Sequence, residues 1–219
     1  ELKRCIEEKR FEPEIWILSA KVMYAEENPV TGEIEAKYDE EELLEHQLEE
    51  AVRRLLEAYP NCRVVNLSLG DEYRRMFGNR RQFNLAALVD ELARECKVVF
   101  VVSAGNFREY ERKGFPNTYP QYLLEETEDA RVIDPATSAL ALTVGSVTQP
   151  YGPLNRYPDD LLFSPADTHY PSPFTRVGPG YHGMIKPDVV EEGGNIIQGD
   201  QSALPDLGGK LVTLNPDWV

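Results

Sequence analysis

The run Val98-Val99-Phe100-Val101-Val102 contains no polar residue and stops abruptly at Ser103-Ala104-Gly105-Asn106. An unbroken stretch of β-branched and aromatic side chains, without alternation, reads as a strand buried on both faces, as in the parallel sheets of α/β proteins. Such sheets place chemistry in the crevice beyond the carboxyl ends of their strands. Asn106 therefore stands at a candidate active-site edge, where its side-chain amide can donate to charge developing on a substrate oxygen. Ala104 and Gly105 leave room for another chain to approach the backbone. A Gly-Asn pair is also ordinary turn punctuation, so the neighbouring segments decide its meaning.

Those segments alternate in kind. Ile15 to Val22 reads as a strand, half alternating and half buried, and Asn28-Pro29-Val30-Thr31-Gly32 as a turn-rich excursion. A helix is expected from Asp39, because Leu43, Leu44, Leu48, Ala51, Val52, Leu55, Leu56 and Tyr59 recur at three- and four-residue steps. Asp39 with Glu42 resembles a capping box, and Pro60-Asn61 ends the helix. Val64 to Leu67 is a second strand, Asp71 to Gln82 a polar loop carrying Arg74, Arg75, Arg80 and Arg81, and Phe83 to Glu95 a second amphipathic helix. Strand, helix, strand, helix, strand implies a parallel sheet with right-handed crossovers. Beyond Asn106 the chain turns loop-rich, with prolines punctuating Tyr151 to Tyr181, and the tail from Asn195 to Val219 has the apolar content for a hairpin at most.

In chain order come Ser68-Leu69-Gly70, Ser103-Ala104-Gly105-Asn106, Pro135-Ala136 with Ala141 to Val147, and Lys186-Pro187-Asp188-Val189-Val190. Across roughly residues 15 to 195 this series resembles the subtilisin-like serine proteases, the subtilases. The resemblance implies a three-layer α/β fold with a mostly parallel sheet, helices on both faces, incomplete here. It implies a central portion of the peptidase domain over residues 1–195 and a loop or hairpin tail of the same domain over 196–219. By the same resemblance, Ser68, Leu69, Gly70, Ser103, Ala104 and Gly105 bind an extended substrate, and Asn106 is the oxyanion-hole side chain of an endopeptidase.

The departures from that pattern are as informative. The sequence has no Asp-Ser/Thr-Gly turn, no His-Gly-Thr and no Gly-Thr-Ser, the settings in which a subtilase carries its catalytic Asp, His and Ser. The match thus begins and stops inside a domain, and these residues alone are expected to be inactive. The strand carrying the triad Asp would lie between those at Ile15–Val22 and Val64–Leu67, so the fragment is expected either to pair these two directly or to self-associate. Glu191-Glu192-Gly193 stands where subtilases often read Ala-Pro-Gly. A pseudo-protease scaffold that binds peptides without cleaving them is the rival reading. A nucleotide-binding domain lacks support, since no Gly-rich phosphate loop follows the first strand.

Remaining candidates are assigned bland roles. His46 lies mid-helix beside Glu45 and Glu49, His169 and His182 lie in proline-rich loops, and Ser202 lacks the preceding Gly-Thr. Cys5, Cys62 and Cys96 are odd in number and widely spaced, so buried free thiols are expected rather than a disulfide or metal framework. No metal or cofactor is implied. A net charge of −15 argues against a nucleic-acid footprint or an anionic membrane surface. Free thiols favour a reducing, cytoplasmic setting. A peptide or protein substrate is the implied partner, and an ATPase partner enters only by analogy with intracellular bacterial subtilase-like proteins.

Overall fold

The computed structural model describes residues 15–30, 32, 34–39, 41–77, 81–107, 119–121, 123, 128–148, 162–163, 166–167, 169–199 and 212–214. The chain divides into two compact units, Glu1–Cys62 and Arg63–Val219.

The first unit holds an antiparallel pair, β1 (Tyr24–Glu27) and β2 (Ile34–Lys37), and the helix α1 (Leu44–Ala58). The expected strand at Ile15–Val22 does not form: Trp16 is 96% exposed, and the strand of this region is Tyr24–Glu27. Extended chain becomes a strand only where a neighbour completes its ladder, and here Ile34–Lys37 pairs with β1. The helix starts later than Asp39, with Leu43 at its N-cap and no side-chain cap. The Asp39 carboxylate instead accepts from the Glu41 amide at 3.0 Å, forming a local turn in competition with the helix. Gln47 compensates by donating to the carbonyls of Asp39 and Glu42. Leu48 and Val52 are the buried stripe of α1, while Glu49–Arg53 and Glu50–Arg54 pair at four-residue spacing on its outer side.

The second unit is built on a four-stranded parallel sheet in the order β3-β5-β7-β9, comprising Val64–Leu67, Val99–Ser103, Leu142–Val147 and Val189–Glu192. This is the α/β, mostly parallel arrangement that the sequence leads one to expect. The helix α2 (Asn84–Cys96) precedes β5 and packs on it. Its buried positions Leu85, Ala86, Val89 and Leu92 recur at helical spacing, and Lys97 in a left-handed conformation ends it. The sheet face carrying Leu67, Phe100, Val102 and Thr143 is buried. The opposite face is apolar yet open: Val64, Val99 and Val189 remain 58%, 52% and 43% exposed. Val64 pairs in register with Val99, Val101 with Leu142 and Val144 with Val189, so these side chains form one continuous surface.

Two smaller ladders flank this sheet in sequence. Part of the expected polar loop forms β4 (Asp71–Arg75), which pairs antiparallel with β6 (Ile133–Asp134) through Asp71↔Asp134 and Arg75↔Ile133, with a bulge between. Partnership with a segment far along the chain overrides the loop-like composition. The tail does form a hairpin, β10 (Asn195–Gly199) with β11 (Val212–Leu214), and β10 also pairs with β8 (Leu162–Phe163) from the proline-rich stretch. Cys62 and Cys96 form no disulfide among the described residues, and both are half-buried, not buried as expected.

Candidate active site

Leu67 pairs with Val102, so the parallel strands β3 and β5 release Ser68-Leu69-Gly70 and Ser103-Ala104-Gly105-Asn106 side by side at their carboxyl ends. The structure therefore brings together the two segments that the sequence pattern singles out. Ser68, Gly70, Ser103 and Asn106 are exposed, Leu69 and Gly105 half-buried, and Ala104 buried. The Asn66 amide donates to Ser68 Oγ at 3.1 Å, and the Ala104 N–H donates to the Val144 carbonyl at 2.9 Å.

Gly105 has φ 93, a left-handed conformation that favours glycine and turns the chain away from the sheet. The residues after this turn are tied down from several sides. Asn106 bridges Thr175 in antiparallel fashion, the Phe107 N–H donates to the Phe174 carbonyl at 2.8 Å, and Arg176 Nε donates to the Asn106 carbonyl at 2.8 Å. The Phe107 ring is buried in a cluster with Leu123 and Ala130, against which Tyr119, Phe174 and Val177 pack. The Asn106 side chain itself, among the described residues, has no hydrogen-bond partner and points its amide at no fixed acceptor.

Behind the two strand ends lies a residue that the sequence pattern does not single out. Ile133 on β6 fills the space between the glycines: a methyl group on Gly70 or on Gly105 would sit 2.7 Å from Ile133 Cδ1. Next to it, Asp134 is completely buried. Its Oδ1 accepts from the Ala86 N–H at 2.8 Å, so β6 supplies the cap that α2 lacks at Phe83. Arg74 Nη1 lies 3.5 Å from Oδ2, within ion-pair range but too long for a hydrogen bond, and Oδ2 is otherwise without a partner among the described residues. Burial pushes the Asp134 carboxyl up to about 6, against the opposing pull of the Ala86 amide and the Arg74 charge.

Two further staples hold the sheet ends in place. Asp90, on α2, accepts from the Gln82 side chain, Ser138 Oγ and the backbone amides of Ala139 and Leu140, fixing the turn that leads into β7. Lys186 is buried, with Nζ on the Ala141 carbonyl at 2.9 Å and on Asp188 Oδ2 at 2.7 Å, while the same Asp188 oxygen accepts from the Thr143 amide. This gives Lys186-Pro187-Asp188 a clear job: it joins β7 to the chain entering β9.

His46, His169 and His182 are all exposed. His182 sits at φ 51 with its ring edge-on to Tyr181, 4.3 Å between centroids. Arg74 and Arg75 of the arginine-rich stretch are engaged with carboxylates: Arg74 with Asp71 and Asp134, Arg75 with Asp129. Arg80 and Ser202 lie outside the described residues.

Parallel strands whose carboxyl ends present Ser-Leu-Gly beside Ser-Ala-Gly-Asn, with the Ala136 carbonyl accepting from Thr143 Oγ1 and Lys-Pro-Asp joining β7 to β9, go with a subtilisin-like protease class of scaffold. The chain belongs to the subtilase family, peptidase S8, whose description matches residues 17–215. It is 41% identical over 157 residues to the uncharacterized protein y4bN of Sinorhizobium fredii (strain NBRC 101917 / NGR234), an overlap covering 69% of this chain and 35% of that protein. The chain thus spans about a third of the length of that relative. Among solved structures it is similar to the prenylagaramide maturation protease PagA, at 13% identity and a TM-score of 0.39, covering 85% of this chain and 46% of that one.

Proposed function

We propose that these residues form the central, oxyanion-stabilising part of a subtilisin-like serine endopeptidase, with the Asp, His and Ser of the triad supplied from outside them. The observation that carries this reading is Asn106: an exposed amide at the end of β5, beside Ser68 to Gly70, on a backbone anchored by Thr175 and Arg176. An extended peptide aligned along Ser68–Gly70 and Ser103–Gly105 would add to the two strand ends by main-chain hydrogen bonds. Its scissile carbonyl would then face Asn106. Attack by the serine hydroxyl, with its proton passing to the histidine, forms a tetrahedral intermediate whose oxyanion accepts from Asn106 Nδ2. Collapse of that intermediate breaks the C–N bond as the histidine gives its proton to the departing amine, and the acyl-enzyme left behind is hydrolysed by the same steps with water as nucleophile, so Asn106 serves both halves. On this reading the 219 residues alone hydrolyse nothing.

The test is Asn106→Ala in the longer protein that carries the triad. Turnover should fall about 100- to 1,000-fold, a magnitude whose measured example is itself a member of this family. Thermal stability should be unchanged, because the side chain has no partner among the described residues to lose. Equal turnover in variant and wild type would refute the assignment. A longer protein that binds peptides but releases no product would favour the pseudo-protease reading instead.

A further inference from the structure

Arg176 is 3% exposed, and a buried guanidinium must find acceptors for its donors. Its hydrogen bonds go to backbone carbonyls rather than to a carboxylate: Nε donates to Asn106 at 2.8 Å, and Nη1 donates to Asp129 at 2.7 Å and Arg131 at 3.1 Å. These three carbonyls lie on two stretches of chain that the fold has to hold in register. One is the turn leaving β5 with Asn106; the other, residues 129–131, leads directly into Ile133 and Asp134 of β6.

The backbone on either side of Arg176 already reaches in both directions. Thr175 bridges Asn106, while Val177 exchanges backbone hydrogen bonds with Ala130 and Val132. Those bonds, together with the Phe107 N–H on the Phe174 carbonyl, hold the 106–107 peptide from its amide side, and Arg176 Nε holds its carbonyl side. Immediately upstream is Gly105 at φ 93, the most permissive backbone element available. A donor that follows a glycine pivot keeps its direction only if something grips it on the far side. The rigid, planar fork of an arginine does that: one edge takes the Asn106 carbonyl while the other is referenced to residues 129–131. The aliphatic stem closes the arrangement, since Arg176 Cδ lies 3.0 Å from where a Gly105 side chain would begin.

We infer that Arg176 is a positioning residue, which sets the direction of the Asn106 side-chain amide by clamping the Asn106 carbonyl to the chain entering β6. The inference rests on the oxyanion role proposed for Asn106. Burial lowers the Arg176 pKa to about 10, with Glu72 and Asp129 opposing and Arg75 reinforcing that shift, so the clamp is cationic and fully protonated at neutral pH. A purely space-filling role would need no donors, and methionine of similar length would satisfy it.

Two measurements test this, and they fail separately. In the 219-residue chain, the side-chain amide pair of Asn106 is identified by its loss from the nitrogen–proton spectrum of Asn106→Ala. Arg176→Met should shift or broaden that pair, and Arg176→Lys, which keeps a cation without the fork, should do so to a smaller degree. An unmoved Asn106 pair in a folded Arg176→Met or Arg176→Lys chain overturns the positioning role, whatever the activity of the longer protein. In the longer protein, Arg176→Met should lower kcat about 10- to 100-fold with KM changed less than about twofold, the signature of a misplaced transition-state donor. The same substitution made on top of Asn106→Ala should cost nothing further. Losses that multiply, or a loss carried in KM, would also overturn it. If Asn106→Ala leaves turnover intact while Arg176→Met still moves the amide pair, the clamp stands and the oxyanion reading falls.

Discussion

Raising the pH from about 4 to about 7 should weaken this fold through a single buried carboxyl, and the size of the effect follows from its surroundings. Asp134 is fully buried, accepts one hydrogen bond at Oδ1 from the start of α2, and faces Arg74 at 3.5 Å across Oδ2. Burial disfavours the charged form strongly enough that the group titrates at about 6 in the folded chain, against 3.8 for an unperturbed aspartate. Because the folded-state value is the higher one, the folded chain binds more protons between the two values. The stabilisation is therefore fully present below about pH 4 and is lost as pH rises through about 6. A shift of about 2 units at about 1.4 kcal/mol each amounts to about 3 kcal/mol. For a chain of this size that corresponds to about 6–12 °C in melting temperature. Other carboxylates titrate over the same range, so the comparison is with Asp134→Asn, which keeps an acceptor for Ala86 but has no proton to lose. Denaturant melts of both proteins from about pH 4 to about pH 8 give the difference directly: wild type should lose about 3 kcal/mol relative to the variant, with the change centred below about pH 6 and flat above about pH 7. A difference that does not vary with pH, or one that grows in favour of wild type as pH rises, would refute the argument. It would mean that Arg74 holds the carboxylate charged despite its burial.

The remaining expectations concern other elements of the same architecture. Asp90→Ala removes the acceptor of Gln82, Ser138, Ala139 and Leu140 at once and should destabilise the chain by about 2–4 kcal/mol, read by denaturant melts; a loss under about 0.5 kcal/mol would show that water replaces the carboxylate. Ile133→Ala opens the space between Gly70 and Gly105, so if the proposed function holds, a triad-bearing protein that contains these residues should show kcat/KM for peptides with a bulky side chain at the cleaved residue raised at least about tenfold relative to those with alanine there. An unchanged ratio would mean that substrate side chains do not enter that space. The open valine face of the sheet, with β3 at its edge, should make the 219-residue chain associate as its concentration rises, and light scattering that reports a monomer at every concentration would contradict this.

The parallel sheet was legible because its signals are local. Val99 to Val102 is apolar without a break, and Leu85, Val89 and Leu92 repeat at helical spacing just before it, so strand and crossover helix are both written in short windows. The segments that failed depended on partners elsewhere. Ile15 to Val22 has strand composition but no neighbour to complete a ladder among the described residues, whereas Asp71 to Arg75 has loop composition and acquires one from Ile133–Asp134. In the site the division is similar. Asn106 is proposed from its motif, whereas Arg176 lies 70 residues further on and reaches it through a main-chain carbonyl that any residue could have supplied. A lone arginine inside Phe174-Thr175-Arg176-Val177 and an isoleucine just ahead of Asp-Pro were the available hints, and neither states its partner.

The isoleucine between the two glycines makes positions 70, 105 and 133 a single unit of inheritance. A side chain at Gly70 meets the tip of Ile133 first and fits only once that tip has rotated or been shortened, yet shortening Ile133 alone leaves a void in the site, so along that route the first step is a cost and the second its repair. Gly105 is shut off even from that two-step route, since Arg176 Cδ and the left-handed turn oppose a side chain after Ile133 has receded. Drift in this site should therefore run through residue 133 first, with residue 70 following and residue 105 staying glycine in every lineage that keeps the turn.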